Sequence, residues 1–120
     1  SNGEWAINKS SQSPNPILAR IYGSSSFSYD ECRFTSEPGP HVLTLTHDGV
    51  TMRTYVDGVP ANSTASNRSI NWQDTAIGRS GREDRYYWKG FIAEIQIYDC
   101  ALSDRKRASI EEDLLNKYGL

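Results

Sequence analysis

From Tyr87 to Tyr98 the chain sets Phe91, Ala93, Ile95 and Ile97 at every second position, with Ile92, Glu94, Gln96 and Tyr98 between them. A period of two sends successive side chains to opposite faces, which is the pattern of a β-strand and not of a helix. This stretch therefore predicts the strongest strand of the chain, with the Phe91 set facing a core.

Shorter runs repeat the pattern. Ile17 to Tyr22 and Phe27 to Phe34 predict two strands around a turn of Gly23 and Ser24 to Ser26. Val42 to Thr46 predicts another, and Asp48-Gly49 suits the positive φ angles of a tight hairpin turn before a returning strand over Thr51 to Val56. Asp57-Gly58 and Pro60 end that strand. Asn62 to Ser69 has loop composition, Ile70 to Trp72 and Thr75 to Ile77 are short strand candidates, and Arg79 to Arg85 is a charged loop. Ser1 to Pro16 is polar and broken by Pro14 and Pro16, so only Trp5 and Ile7 offer it anything to bury.

One helix is expected, at the C-terminus. Ser103 is suited to be its N-cap, Asp104 to the positive end of its dipole, and Gly119 to be its C-cap, with Ile110, Leu114 and Tyr118 at four-residue spacing. Its apolar stripe is expected to cover an edge or one end of the sheets.

A chain of 120 residues suits one domain with its own core, and 37% hydrophobic and 23% charged residues exclude a disordered composition. The net charge of −2 argues against nucleic acid, which is held by a surplus of Lys and Arg on one face. Arg105, Lys106 and Arg107 precede Glu111, Glu112 and Asp113, the mixed charge of a solvated helix. No apolar run is long enough to span a bilayer. A start at Ser1 without methionine is expected of a processed product or an excised piece, with any targeting segment out of view.

The two cysteines, Cys32 and Cys100, are too far apart in sequence for a zinc knuckle and leave either one disulfide or two buried thiols. Three N-x-S/T triplets, at Asn8, Asn62 and Asn67, lie in polar segments that read as surface loops and are candidate glycosylation sites in a secreted eukaryotic protein.

The ordered set His41-Val-Leu-Thr-Leu-Thr-His-Asp-Gly, Tyr55-Val-Asp-Gly58, Ile77-Gly78, Gly90-Phe-Ile-Ala-Glu-Ile-Gln-Ile-Tyr98, Ala101-Leu-Ser103 and Lys117-Tyr-Gly-Leu120 resembles the LamG-like domains of the concanavalin A-like lectin/glucanase family. The resemblance covers about residues 41 to 120, the C-terminal portion of such a domain. It implies an all-β fold, an antiparallel jelly-roll β-sandwich with a short C-terminal α-helix, over a single domain from 1 to 120. Family members are usually longer, so N-terminal strands of the full fold are expected to be lacking. A further segment, another chain or strand exchange between protomers would then complete the sheets.

The family is associated with carbohydrate binding, adhesion and matrix contact, and includes glycoside hydrolases. Hydrolases of this architecture usually place paired acids on one strand face as Glu-x-Asp-x-Glu. Here Glu94-Ile-Gln-Ile-Tyr-Asp99 has Gln96 in place of one acid and Asp99 on the other face. His41 and His47 lack a Gly-x-Ser-x-Gly elbow, and Cys32 with either histidine is no better supported as a nucleophile pair. No catalytic residue is assigned.

Calcium is the expected ion, held by oxygen ligands from loops, with Glu83, Asp84 and Glu94 as candidates. The alternative for each is a salt link: Glu83 and Asp84 to Arg82 and Arg85, Glu94 to a neighbouring base. Sugar recognition combines an aromatic face with polar side chains, and Arg82, Arg85, Tyr86 and Tyr87 supply both in one loop-to-strand passage. Tyr87 and Trp88 match the aromatic pair before the family's last strand, so at least one is expected in the core. Trp5 and Trp72 share that ambiguity.

The leading expectation is a non-catalytic, secreted or cell-surface carbohydrate-binding module of a larger protein, with a glycan or glycosylated surface as partner. The alternative is a protein adhesion or assembly module that uses a sheet edge or exposed patch. A glycoside hydrolase fragment comes third.

Overall fold

The computed structural model describes residues 5–9, 16–23, 28–70, 76–78 and 88–120. Six strands and one helix follow in order: β1 (Trp5–Lys9), β2 (Ile17–Tyr22), β3 (Tyr29–Phe34), β4 (Leu43–His47), β5 (Thr51–Val56), β6 (Val59–Ala65) and α1 (Asp104–Tyr118). They form two antiparallel three-stranded sheets, ordered β1-β2-β3 and β4-β5-β6. This is a β-sandwich of the jelly-roll kind with one C-terminal helix.

Register fixes which side chains meet between the sheets. In the first sheet Ile7 pairs with Ala19 and Trp5 with Ile21, and on the other side Ala19 pairs with Cys32 and Ile17 with Phe34. Paired residues share a face, so this set points inward together. Met52 of β5 closes the core from the second sheet, with Leu43, Leu45 and Val56 packed beside it. The Cys32 thiol donates to the Met52 carbonyl at 3.5 Å across the interface.

The turn at Asp48-Gly49 is looser than expected: three residues join β4 to β5, and of these Gly49 alone has positive φ, at 91°. Asp48 accepts hydrogen bonds at one carboxylate oxygen from the amides of Val50, at 2.9 Å, and Thr51, at 2.7 Å. Asp57 and Gly58 both have positive φ, 52° and 81°, which a two-residue type I′ hairpin requires. Ser103 caps α1 by accepting from the Lys106 amide, and Gly119 ends it with φ 67°.

Four further expectations need correction. Trp5–Lys9 is a strand, because the edge of β2 supplies its ladder. β6 runs through the expected Asn62 to Ser69 loop as far as Ala65, held by β5 across a register shift at Thr54/Tyr55. Of the short candidates at 70–77, Ile70, Ala76 and Ile77 are outside any strand, while 71–75 lie outside the described residues.

The fourth concerns the strongest strand. Tyr87 lies outside the described residues, and 88–98 joins no ladder. Phe91 is fully exposed, and Ile95 and Ile97 are 46% and 52% exposed, so the set expected in the core is not buried. A strand buries a face only when it is seated in a sheet, and no described strand pairs with this one. Its alternation still holds. Gln96 donates to Glu94 at 2.6 Å and Tyr98 to Gln96 at 2.7 Å, which puts 94, 96 and 98 on one side.

Candidate functional site

The outer face of the first sheet carries an aromatic and charged platform. Because Tyr22 pairs with Tyr29, Arg20 with Glu31 and Leu18 with Arg33, the side chains opposite to the core set gather there. The Tyr22 and Tyr29 rings meet edge to face, with centroids 5.7 Å apart. The Arg20 guanidinium lies 4.5 Å from the Tyr29 centroid, within cation–π range. Its Nε donates to Glu31 at 2.5 Å and one Nη to the Tyr22 hydroxyl at 3.4 Å, while Arg33 Nε donates to the other Glu31 oxygen at 3.2 Å.

Glu31 thus bridges two guanidiniums, and Arg20 links it to both rings. The charged groups at the base are half-buried, whereas Tyr29 and Arg33 are exposed. Such a network holds its outer members in place before any ligand arrives. At the flank Arg68 reaches from the loop after β6 to Asp30, at 3.1 Å, and to the Ser28 hydroxyl, at 3.0 Å. A side chain at Gly23 would collide with that guanidinium.

Sequence reasoning passed over this platform. Each strand alone shows only two or three polar positions, and the hairpin register that stacks them was not read. The residues expected to bind ligand, Arg82, Arg85, Tyr86 and Tyr87, lie outside the described residues, as do Glu83, Asp84 and Trp72. Trp5 is half-buried against the core.

Glu94 is described. Lys117 and the Tyr118 hydroxyl donate to one oxygen at 2.6 and 2.8 Å, and Gln96 to the other. The Lys117 ammonium, then Gln96 and Tyr118, hold its carboxyl down at about 2. This is the salt link weighed against calcium. Lys117 and Gln96 between them occupy both oxygens of Glu94. Among the described residues no three His, Cys, Asp or Glu side chains cluster as a metal site.

Cys32 and Cys100 are both free thiols, so the candidate disulfide is not formed. Cys32 is buried between the sheets and Cys100 is exposed beyond the unpaired 91–98 segment. Burial, followed by the charge of Glu31, pushes the Cys32 thiol up and keeps it protonated. Among the N-x-S/T asparagines, Asn67 lies on an exposed loop as expected. Asn8 is instead in β1, and Asn62 is in β6, where its amide donates to the Arg33 carbonyl at 2.8 Å.

His41 clamps the sandwich edge. Its Nδ1 donates to Asp57 at 2.7 Å and its Nε2 to the Glu37 carbonyl, so both nitrogens carry protons when both bonds are made. The Asp57 hydrogen bond, then that from the backbone, raises the imidazole above its ordinary range. His47 donates to the Ser66 carbonyl at 3.0 Å.

A family model described as the concanavalin A-like lectin/glucanases superfamily, Laminin_G_3, matches residues 3–106. The chain belongs to this family. No curated protein matches it. Among solved structures it is similar to an S-layer domain-containing protein from Clostridium thermocellum, at 20% identity and a TM-score of 0.50. That match covers 92% of this chain and 58% of the other, so the chain spans little more than half the length of its structural neighbour. At that identity the likeness concerns the fold. Among the described residues no helix of this family member is long and apolar enough to cross a membrane.

Proposed function

We propose that this chain is a non-catalytic carbohydrate-binding module acting outside the cell or at its surface. The observation that carries the reading is the Tyr22–Tyr29 pair fixed by Arg20 and Glu31, with Arg33 at its margin. Sugars offer C–H faces that pack on aromatic rings and hydroxyls that pair with charged side chains. An exposed tyrosine beside a preset guanidinium–carboxylate network presents both at once.

Family membership supports the reading, and the likeness to an S-layer domain-containing protein supports the surface setting. A non-catalytic role is supported by Gln96, which stands beside Glu94 where a glycosidase of this architecture carries the paired acid. Arg82, Arg85, Tyr86 and Tyr87 remain proposed as a second part of the ligand surface, and Glu83, Asp84 and Glu94 as the carboxylates for any calcium.

The test is a glycan array probed with the purified chain, once with calcium and once with chelator, alongside Tyr29→Ala and Arg85→Ala. Selective binding lost in Tyr29→Ala with the fold intact supports the platform. Loss confined to Arg85→Ala moves the site to the charged loop. A folded chain that binds no glycan sinks the reading.

A further inference from the structure

The segment 91–98 has strand alternation, an apolar side and no strand beside it among the described residues. Its polar side is engaged with α1, through Lys117 and Tyr118 on Glu94. The other side, Phe91, Ala93, Ile95 and Ile97, is exposed. This segment and Leu43–His47 of β4 are among the elements that line one open cavity of about 1810 Å³, which also extends along β1, the 35–42 loop and α1. Since β4 pairs only with β5, its second edge is open among the described residues.

The space suits a strand. Six residues at about 3.3 Å each, with about 4.8 Å between strands and about 10 Å between sheets, occupy roughly 1000 Å³. An open edge beside exposed apolar residues is a template for strand addition.

The geometry points to a second copy of this chain as the occupant, with the two 91–98 segments paired antiparallel about a two-fold axis through Ile95. This goes beyond carbohydrate recognition and does not depend on it. In that register Ile95 faces Ile95, Ala93 faces Ile97, Ile92 faces Tyr98 and Glu94 faces Gln96, while Phe91 lies opposite Asp99 at the margin. A shift by one residue would set the apolar side of one copy against the Glu94 side of the other. A shift by two in one direction would bring Glu94 onto Glu94, which like-charge repulsion disfavours, and in the other would set Ala93 against Asp99 and Gln96 against Gln96, with no Gln96 opposite Glu94.

Charge and area agree with this register. The Glu94 oxygen that accepts Gln96 has room for a second donor, so Gln96 of each copy can reach Glu94 of the other. Phe91 is 103% and Tyr98 43% exposed. At about 200 Å² for a full aromatic side chain, the pair brings roughly 600 Å² from two copies before the isoleucines are added. A specific interface needs about 1000 Å² in total.

The test is sedimentation of the full chain over a wide concentration range, with mild oxidation of Ile95→Cys and Ala93→Cys, both in a Cys100→Ser background. The expected result is a concentration-dependent dimer, covalent in high yield for Ile95→Cys and at least about tenfold less so for Ala93→Cys. Gln96→Glu, which puts like charges opposite each other, should weaken the dimer about tenfold or more. A chain that stays monomeric at all concentrations overturns the proposal. So does a dimer in which both positions cross-link equally.

Discussion

The Arg107 guanidinium lies 3.7 Å from the centre of the Tyr55 ring while its Nη1 pairs with Glu111 at 2.6 Å. This joins α1 to the outer face of the second sheet. Tyr55 is consequently buried although it points away from the core, and Glu111 is only 2% exposed. The i, i+4 spacing puts Arg107 and Glu111 on one side of the helix, and the sheet dries that side.

Removing one partner should therefore cost more than removing both. Arg107→Ala strands a buried carboxylate and should destabilise the chain by about 3 kcal/mol, whereas Arg107→Met with Glu111→Leu should lie within about 1 kcal/mol of wild type. Urea unfolding of the three proteins checks this. Equal losses in the single and double variants would show that the pair is not buried as described.

His41 and Asp57 predict a pH dependence with two limbs. The imidazole pKa is raised in the folded chain by the bond to Asp57. Its contribution is thus complete below the unfolded value of about 6.5 and lost as pH rises through the folded one. Burial opposes ionisation of Asp57, but His41 and the Val42 amide still hold its carboxyl below the ordinary value, so its contribution is lost as pH falls through that lowered value. His41→Gln should flatten the decline in denaturation midpoint above about pH 6.5 and also shrink the acid limb, leaving the part that the Val42 amide sustains on Asp57. A wild-type profile flat from pH 6 to 9 would rule the clamp out.

Gly58 has φ 81° in a turn that holds β5 and β6 in register, and a Cβ there would lie 3.4 Å from the buried Glu111 carboxylate. Gly58→Ala should cost about 1–2 kcal/mol from backbone conformation alone. The same change at Gly78, where φ is 83° and nothing lies within 4 Å of a Cβ, tests backbone strain without contact. If Gly58→Ala costs no more than Gly78→Ala, the helix contact adds nothing.

Local signals were the legible ones. Thr51 to Val56 and the capped helix from Ser103 to Gly119 stand where alternation, turn residues and caps put them. Pairing was not legible. Trp5–Lys9 becomes a strand only because β2 offers an edge, and Phe91 to Ile97 fails to enter the core because no described strand offers one. The Tyr22–Tyr29 platform was hidden for the same reason, since it exists only once the register sets Arg20 against Glu31.

The two thiols give the sharpest chemical contrast. Cys100 is exposed, while Cys32 is wholly buried, hydrogen-bonded to Met52 and held protonated by burial and the nearby Glu31 charge. Since the thiolate is the reacting species, an aromatic disulfide reagent should titrate one thiol at once in the native chain. The second should react only through unfolding, slower by on the order of a thousandfold or more for a domain of ordinary stability. Cys100→Ser should abolish the fast phase and leave the slow one, and urea should bring the slow phase up to the fast rate. Two fast thiols would mean that the sheets do not close over β3. None in unreduced protein, with two after reduction, would mean that Cys32 and Cys100 are joined and that the chain beyond Tyr98 folds back toward the core.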